Sequence, residues 1–437
     1  MQCKSTRDQS PVVSFRKALF NGQAPDGGLY MPVMFPRFDA GDLRDFASLD
    51  YRDLVFRVLT PWLKDELQAQ ELQQIIEKAY SFAPNVEPLN DRTSILELFH
   101  GPTLSFKDFG AQFMAKSMGF FMQRENQELT ILTATSGDTG SAVAHAYHNV
   151  KGIRIVLLYP SGQVSKLQEK QFTTLGDNIV ALEVDGTFDD CQALVKTAFR
   201  DPDLNAKKSL SSANSINIGR LLPQSIYYFK GVLELYDAEH SDAIDVCVPS
   251  GNFGNLCAGL FAAQMGCPVN RFIAAVNANA VVPEYLKSGE YKPRASVRTL
   301  SNAMDVGNPS NWERIRYLFN GEVEQIASRI GSTSVNDAST LQTMQQIYAD
   351  YGYIADPHTS VALEALQRSR SSGLSGIADR AIVLSTAHPG KFRQTVSRAL
   401  EFEPQLPPAL ERCLNMDKKA QPLDNRFDAF KDFLWTL

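Results

Sequence analysis

Residues 129–150 read LTILTATSGDTGSAVAHAYHNV, and this stretch decides the fold class. Its first seven residues, 129–135, are apolar or β-branched, a composition that predicts a buried strand. Small and hydroxyl-bearing residues follow in SGDTG, and the alanine-rich segment 141–150 predicts a helix. A strand that passes through a glycine-containing turn into a helix is typical of parallel α/β architecture.

The same alternation continues along the chain. Four further segments predict buried strands, each followed by a loop and a helix: 153–160, 178–186, 243–250 and 381–387. Two of those helices are predicted at 165–174 and 189–200. Sheets of this kind bind ligands beyond the carboxyl ends of their strands, so we expect the site there.

Composition excludes several function classes. The 437 residues carry a formal net charge of -6, so the surface as a whole lacks the positive charge of a nucleic-acid binder. The charge-free run from Val246 to Asn270 is interrupted by Pro249 and by polar residues, which favours a buried strand, loop and helix over a membrane span. The opening MQCKSTRD leads into no signal-peptide core, and the six cysteines form no C-x-x-C pair. These features predict a cytoplasmic protein with reduced thiols.

Three histidines are interpreted as structural. His145 and His148 lie three apart on a predicted helix, but no Cys, Asp or Glu stands nearby at ligand spacing, so no metal site is predicted. His388, within STAHPGKF at 385–392, is likewise assigned to the framework.

Residues 100–114, HGPTLSFKDFGAQFM, contain a candidate catalytic lysine. Ser105 and Asp108 form an S-x-x-D capping pattern that predicts a helix starting near Phe106. Lys107 then falls in the first turn, where the helix dipole and apolar neighbours both disfavour an ammonium and favour a reactive amine. The alternative is an ordinary solvated lysine at a helix start.

Three loops at the ends of predicted strands are further candidate ligand-binding segments. PSGNFGN (249–255) has small residues that let backbone N–H groups converge on a phosphate, although a tight turn is the alternative; it matches no nucleotide motif. In TATSGDTGSA (133–142), hydroxyl groups and loop amides could bind a carboxylate or simply cap a helix. Thr386, in STAHPGKF, places a hydroxyl where it could bond a heterocyclic nitrogen.

These segments, together with STRD…VSFRKALFNGQAPDGGLYMP and SANSINIGRLLPQ, resemble the threonine synthases, which are fold-type II pyridoxal-phosphate enzymes. The resemblance runs over nearly the whole chain. It implies an α/β fold like that of the tryptophan synthase β subunit, with two open, twisted, mostly parallel sheets flanked by helices and a mainly helical N-terminal extension. The implied division is an N-terminal domain at 1–95, a cofactor-binding core at 96–400 and a tail at 401–437.

The resemblance also implies roles for particular residues. Lys107 would form the Schiff base with pyridoxal 5'-phosphate, and Thr386 would be the partner of the pyridine nitrogen. Asp138 stands where many relatives have Asn, so its contact with the cofactor's 3-hydroxyl stays open. The residues implied to bind the cofactor phosphate are Gly251, Asn252, Phe253, Gly254 and Asn255. Those implied to bind the substrate carboxylate are Thr135, Ser136 and Thr139. Asn214 and Arg220 are implied to bind the substrate phosphate.

The implied reaction converts O-phospho-L-homoserine and water into L-threonine and phosphate. This is a carbon–oxygen lyase reaction. The resemblance further implies that the protein binds a small-molecule substrate and neither nucleic acid nor a membrane, and that it is a monomer or a homodimer. The alternatives are another lyase of the same cofactor class, such as a threonine or serine dehydratase, and a non-catalytic protein that binds a phosphorylated ligand.

Overall fold

The computed structural model describes residues 1–125, 128–236, 244–372 and 376–437. No helix within these ranges is long and apolar enough to cross a membrane.

The N-terminal part combines four helices with a small antiparallel sheet. Asp50 begins one of the helices by accepting a hydrogen bond from the Asp53 N–H, as an N-cap residue does. The sheet order is β2-β1-β3, and the sequence did not predict these strands of two to four residues. The elements are β1 (Gln2–Ser5), β2 (Val13–Ser14), α1 (Phe15–Asn21), β3 (Tyr30–Pro32), α2 (Ala40–Ser48), α3 (Tyr51–Leu63) and α4 (Ala69–Ala79).

The core elements follow in chain order. Up to residue 236 they are β4 (Asn85–Asn90), β5 (Thr93–Glu97), α5 (Lys107–Glu125), β6 (Leu129–Ala134), α6 (Asp138–Tyr147), β7 (Ile153–Pro160), α7 (Lys166–Thr173), β8 (Ile179–Asp185), α8 (Phe188–Arg200), α9 (Pro202–Lys207), β9 (Leu210–Ser212), α10 (Ile218–Leu221) and α11 (Gln224–Leu235). From residue 244 they are β10 (Ile244–Pro249), α12 (Gly254–Gln264), β11 (Val269–Val276), α13 (Val281–Ser288), α14 (Trp312–Leu318), α15 (Val323–Arg329), β12 (Ile330–Ser334), α16 (Asp337–Tyr351), α17 (Pro357–Ser371), β13 (Arg380–Ser385) and α18 (Arg393–Leu400). Two short 3-10 helices lie at Asn302–Met304 and Pro389–Phe392.

Two sheets form the core. The first has the order β12-β11-β10-β13-β5-β4, in which only β4 runs antiparallel to its neighbour. The second has the order β14-β8-β7-β6-β9 and is parallel throughout; its edge strand β14 (Ala420–Asp424) comes from the tail, with α19 (Pro408–Leu414) and α20 (Phe427–Thr436). Buried side chains on β10 and β7 are apolar almost without interruption, as expected for strands covered by helices on both faces. The predicted α/β class with mostly parallel sheets is confirmed.

The predicted strands match the observed ones closely, with 153–160 reproduced as β7. The segment at 243–250 is observed as β10 from Ile244, since residue 243 lies outside the described residues. The helix predicted at 141–150 begins earlier, at Asp138, because Gly137 with φ 140° turns the chain directly into α6. The division into domains stays a prediction, although the proposed boundary at residue 95 falls within β5.

Candidate active site

A cavity of about 1500 Å³ lies beside the loops that follow β6, β10 and β13. This is the edge at which a parallel α/β sheet is expected to bind ligands. Every predicted site residue lines the cavity: Lys107, Thr135, Ser136, Asp138, Thr139, Asn214, Arg220, Gly251, Asn252, Phe253, Gly254, Asn255 and Thr386. The structure therefore brings together residues from loops that are far apart in sequence.

Lys107 is the first residue of α5, and only 15% of its side-chain surface is exposed. Burial lowers the pKa of its amino group, and the positive charges of Lys391 and Arg220 act in the same direction, while Asp138 opposes them. The alternative of an ordinary solvated lysine is therefore wrong. The surroundings favour the neutral amine, which is the nucleophilic form.

Asp108 adopts a contact that the capping pattern did not predict. Its carboxylate accepts hydrogen bonds from the N–H and hydroxyl of Thr103, at 2.8 and 2.7 Å. Ser105 instead pairs with Ala387 in an isolated β-bridge. Burial raises the pKa of Asp108 to about 6. These contacts fix the chain immediately before Lys107 against the segment that follows β13.

Asp138 lies between two lysines at the start of α6. Its carboxylate is 3.4 Å from Lys107 Nζ and 2.7 Å from Lys391 Nζ, and it also accepts a hydrogen bond from Gln168 Nε2 at 2.8 Å. Burial alone would raise the pKa of Asp138, but Lys391 and Lys107 outweigh burial and lower it. The sequence did not indicate Lys391 and Gln168 as partners of Asp138, because only the fold brings them to this carboxylate.

The 249–255 loop offers an anion site built from backbone. Phe253 adopts a left-handed conformation, with φ 59°, as the N-cap residue of α12. Among the described residues, none accepts a hydrogen bond from the backbone N–H groups of 251–255. A Cβ atom added at Gly251 would lie 2.6 Å from Met304 Cα, so glycine is needed for this close approach. Free N–H groups at a helix N-terminus suit a phosphate.

Asn255 adds a side-chain donor to that site. The hydroxyls of Tyr227 and Tyr228 both donate to its Oδ1 atom, at 2.6 Å each. Its Nδ2 atom is buried and has no hydrogen-bond partner within the described ranges. A buried donor without a partner is costly, so this amide fits a phosphate ligand. The two tyrosines were not predicted, since nothing in the sequence around them indicates this contact.

In the loop after β6, the hydroxyl of Thr135 makes its hydrogen bonds within the protein. Its hydroxyl oxygen accepts hydrogen bonds from the N–H groups of Gly137 and Gly140, at 3.0 and 2.8 Å. Ser136 is exposed and Thr139 is half-buried on the cavity wall. Thr135 therefore shapes the loop. The hydroxyls of Ser136 and Thr139 have no hydrogen-bond partner within the described ranges and are available to a ligand.

Arg220 places a buried guanidinium in the cavity wall. Its Nη1 donates to the carbonyl oxygen of Ala213 at 2.7 Å, whereas Nε is buried and has no partner in the described part of the chain. Burial lowers its pKa to about 10, so it remains positively charged at neutral pH. Asn214 also lies in the wall, and its side chain has no hydrogen-bond partner in the described part of the chain that would compete with a ligand. Together they offer donors for an anion.

The three histidines interpreted as structural make polar contacts within the protein. His388 Nδ1 accepts from the Gly390 N–H at 3.0 Å at the start of the second 3-10 helix. His145 Nε2 lies 2.9 Å from the carbonyl oxygen of Gln171, and His148 Nε2 lies 3.0 Å from an Asp177 carboxylate oxygen. Within the described residues, no group of three His, Cys, Asp or Glu could hold a metal ion.

Comparisons with known proteins identify the relatives of this chain. Residues 94–386 match the family model for pyridoxal-phosphate dependent enzymes, while 2–80 and 359–434 match models for the threonine synthase N terminus and C-terminal region. The threonine synthase of Serratia marcescens is 43% identical over 437 residues, with 100% of both chains covered.

Two solved structures extend the comparison. The crystal structure of threonine synthase from Escherichia coli has a TM-score of 0.91 and 40% identity, and 100% of both chains is covered. The pyridoxal-phosphate-bound threonine synthase from Brucella melitensis has a TM-score of 0.93 and 33% identity, covering 99% of this chain and 98% of the other. The cofactor is pyridoxal phosphate and the reaction is that of a lyase. The chain belongs to the threonine synthase family of pyridoxal-phosphate-dependent enzymes.

Proposed function

We propose that this chain converts O-phospho-L-homoserine and water into L-threonine and phosphate. The observation that carries this proposal is the buried Arg220 guanidinium, with its free Nε, in the same cavity as the buried amine of Lys107. A lyase acting on an unphosphorylated amino acid has no need of that cation. A phosphorylated amino-acid substrate matches it, because guanidinium groups bind phosphate dianions in bidentate fashion.

The cofactor would be held by three elements. Lys107 would bind it covalently, the 251–255 loop would take its phosphate, and Thr386 would contact its ring nitrogen. When bound, pyridoxal phosphate supplies an electron sink next to the reacting carbon. The hydroxyl of Thr386 is neutral, so unlike a carboxylate it would not hold the ring nitrogen protonated.

The substrate would be held at both ends. Ser136 and Thr139, with the N-terminal amides of α6, would bind the carboxylate in a loop that Thr135 shapes. Arg220 and Asn214 would bind the phosphate. Fixing both charged ends sets the position of the α and β carbons relative to Lys107.

Lys107 would act as the general acid and base. It would remove protons from the α and β carbons and deliver protons to the α carbon and to the γ carbon, which becomes the methyl group of threonine. The lowered pKa of its amino group favours this exchange. The bond between the γ carbon and the phosphate oxygen breaks, and the oxygen of water adds at the β carbon. Phosphate retained by Arg220 would accept a proton from that water as it attacks.

The proposed setting is the cytoplasm, with the chain acting as a monomer or homodimer. All six cysteines are free thiols; five are buried and Cys413 is half-buried, which suits a reducing compartment. The structure of the described residues carries no membrane-spanning helix, and the chain's partner would be its small-molecule substrate.

Phosphate release and threonine formation from O-phospho-L-homoserine test this proposal. Lys107→Ala should reduce turnover at least about 10³-fold and remove the borohydride-stabilised cofactor adduct. Lys116→Ala is the matched control: this lysine lies on the same helix, donates to the carbonyl of Ala146 and does not line the cavity. Turnover by Lys107→Ala, or an adduct on another lysine, would contradict the assignment.

A further inference from the structure

Lys391 is a buried cation for which the proposed reaction has no direct use. Its side chain is fully enclosed, and its Nζ atom donates to Asp138 Oδ1 at 2.7 Å and to the carbonyl oxygen of Thr103 at 2.8 Å. It does not line the cavity. A buried ammonium is expensive unless it is paired, so this placement requires an explanation in terms of Asp138.

The two lysines compete for one carboxylate. Asp138 presents Oδ2 to Lys107 and Oδ1 to Lys391, and its side chain is 3% exposed. If Lys391 were absent, Lys107 would be the remaining cation within ion-pair distance of this buried carboxylate among the described residues. The pair would then be stabilised as ammonium and carboxylate, which withholds the neutral amine.

We propose, on the basis of the proposed function, that Lys391 is a positioning residue that serves as a counter-charge to Asp138. It keeps the carboxylate ionised without recruiting the proton of Lys107. Lys107 can therefore lose and regain its proton while Asp138 remains charged and in place. Lys391 acts through Asp138 and does not touch the reacting atoms.

Other charged groups around the two lysines do not replace this function. Arg220 faces Lys107 and, like Lys391, lowers the pKa of its amino group. Asp108 interacts with Lys391 electrostatically but makes its hydrogen bonds to Thr103. His145 and His388 also sense the charge of Lys391, and burial lowers the pKa of each to about 4, so both are neutral at pH 7.

The rate at which the apoenzyme and pyridoxal phosphate form a borohydride-reducible chromophore, measured against pH, tests this inference. In Lys391→Met the midpoint of the pH profile should rise by about one to three units, the usual effect of an opposite charge at this distance. At pH 7 this corresponds to a rate at least about tenfold lower. The double variant Asp138→Asn/Lys391→Met should return the midpoint to within about one unit of wild type.

Gln168→Leu is the matched control. It removes a neutral donor to the same oxygen of Asp138, so its midpoint should move by less than about half a unit. If Lys391→Met does not fold, Lys391→Gln is the second variant: it keeps a donor toward Asp138 without the positive charge, so its midpoint should rise in the same way.

The outcomes separate the inference from the proposed function. A Lys391→Met variant with the wild-type midpoint, even if its melting temperature falls, would overturn the inference and leave the proposed function intact. A double variant whose midpoint stays as high as that of Lys391→Met would do the same, because the effect of Lys391 would then not pass through Asp138. Wild-type protein that forms no reducible chromophore would overturn both.

Discussion

Two walls of the same cavity are built in different ways. The 249–255 loop presents backbone N–H groups and the amide of Asn255, and its residues are all neutral. A second part of the lining uses buried charges, those of Lys107, Asp138 and Arg220. A site made of backbone depends on the path of the chain, whereas a site made of charged side chains depends on pairing and protonation. We therefore expect the first to fail when bulk is added and the second when charge is changed.

Removing charge from the second wall should give the largest effect. Arg220→Met should lower kcat/KM for O-phospho-L-homoserine by about 10³-fold, since two charge-assisted hydrogen bonds to the phosphate would be lost. Steady-state kinetics on the cofactor-loaded enzyme measures this change.

Arg314→Met is the control for that experiment. Arg314 is equally buried, but it donates to the carbonyl oxygens of Tyr30 and Ile216 and does not line the cavity. This variant should lose thermal stability while the folded fraction keeps a near-normal KM. A kcat/KM for Arg220→Met close to that of wild type would contradict the claim that this part of the cavity depends on the charge of Arg220.

Adding one carbon to the first wall should give the next largest effect. Gly251→Ala would bring a Cβ atom to 2.6 Å from Met304 Cα, and a backbone atom cannot move aside as a side chain can. The expected cost is about 3 kcal/mol, or roughly a 10²-fold weaker Kd for pyridoxal phosphate. Fluorescence titration of the apoenzyme measures the Kd.

Gly254→Ala provides a graded comparison within the same loop. Its added Cβ would meet the Asn311 Nδ2 atom at 3.3 Å, a side-chain contact that can adjust. We expect a loss of cofactor affinity well below that of Gly251→Ala. Equal losses for the two variants would show that cofactor affinity depends on the flexibility of the glycines and not on the close approach of residue 251 to Met304.

The smallest expected effect is a pH dependence of folding stability that comes from Asp108, the residue after Lys107. Burial raises the pKa of Asp108 from its ordinary value of 3.8 to about 6, so between these values the folded chain binds more protons than the unfolded chain. Asp108 therefore contributes stability that is fully present below about pH 4 and is lost as pH rises through about 6.

Asp108→Asn removes this titration. Between about pH 4 and 6, the difference in unfolding free energy between wild type and variant should change by about 2 kcal/mol, with wild type relatively weaker at the higher pH. Urea unfolding at three pH values in this interval measures it. A difference that is constant with pH would show that Asp108 does not titrate there.

Local sequence signals were sufficient for most of the fold. The apolar run at 153–160 predicts β7 because a strand buried on both faces needs no alternation. PSGNFGN and SFKD singled out residues that the structure places in one cavity, because a run of small residues and a lysine at a helix start are local signals. By contrast, β14 has a largely exposed pattern, and its pairing with β8 depends on a neighbour distant in sequence.

The charged part of the site was only half predictable for the same reason. Lys391, Gln168 and Asp138 lie on three separate segments, and nothing near Lys391 indicates which carboxylate it meets. The hydroxyls of Tyr227 and Tyr228 on Asn255 are a similar case. Contacts of this kind are properties of the assembled fold.

The pairing of β13 with β5 places Ala381 opposite Thr93 in the middle of the first sheet. During synthesis, β5 and β10 therefore both leave the ribosome before β13, the strand that pairs with each of them. Until β13 leaves the ribosome, both strands expose unpaired hydrogen-bonding edges of the kind that recruit other chains. The nascent polypeptide thus remains vulnerable to aggregation until nearly its whole length has been translated, and factors that shield strand edges should improve its yield.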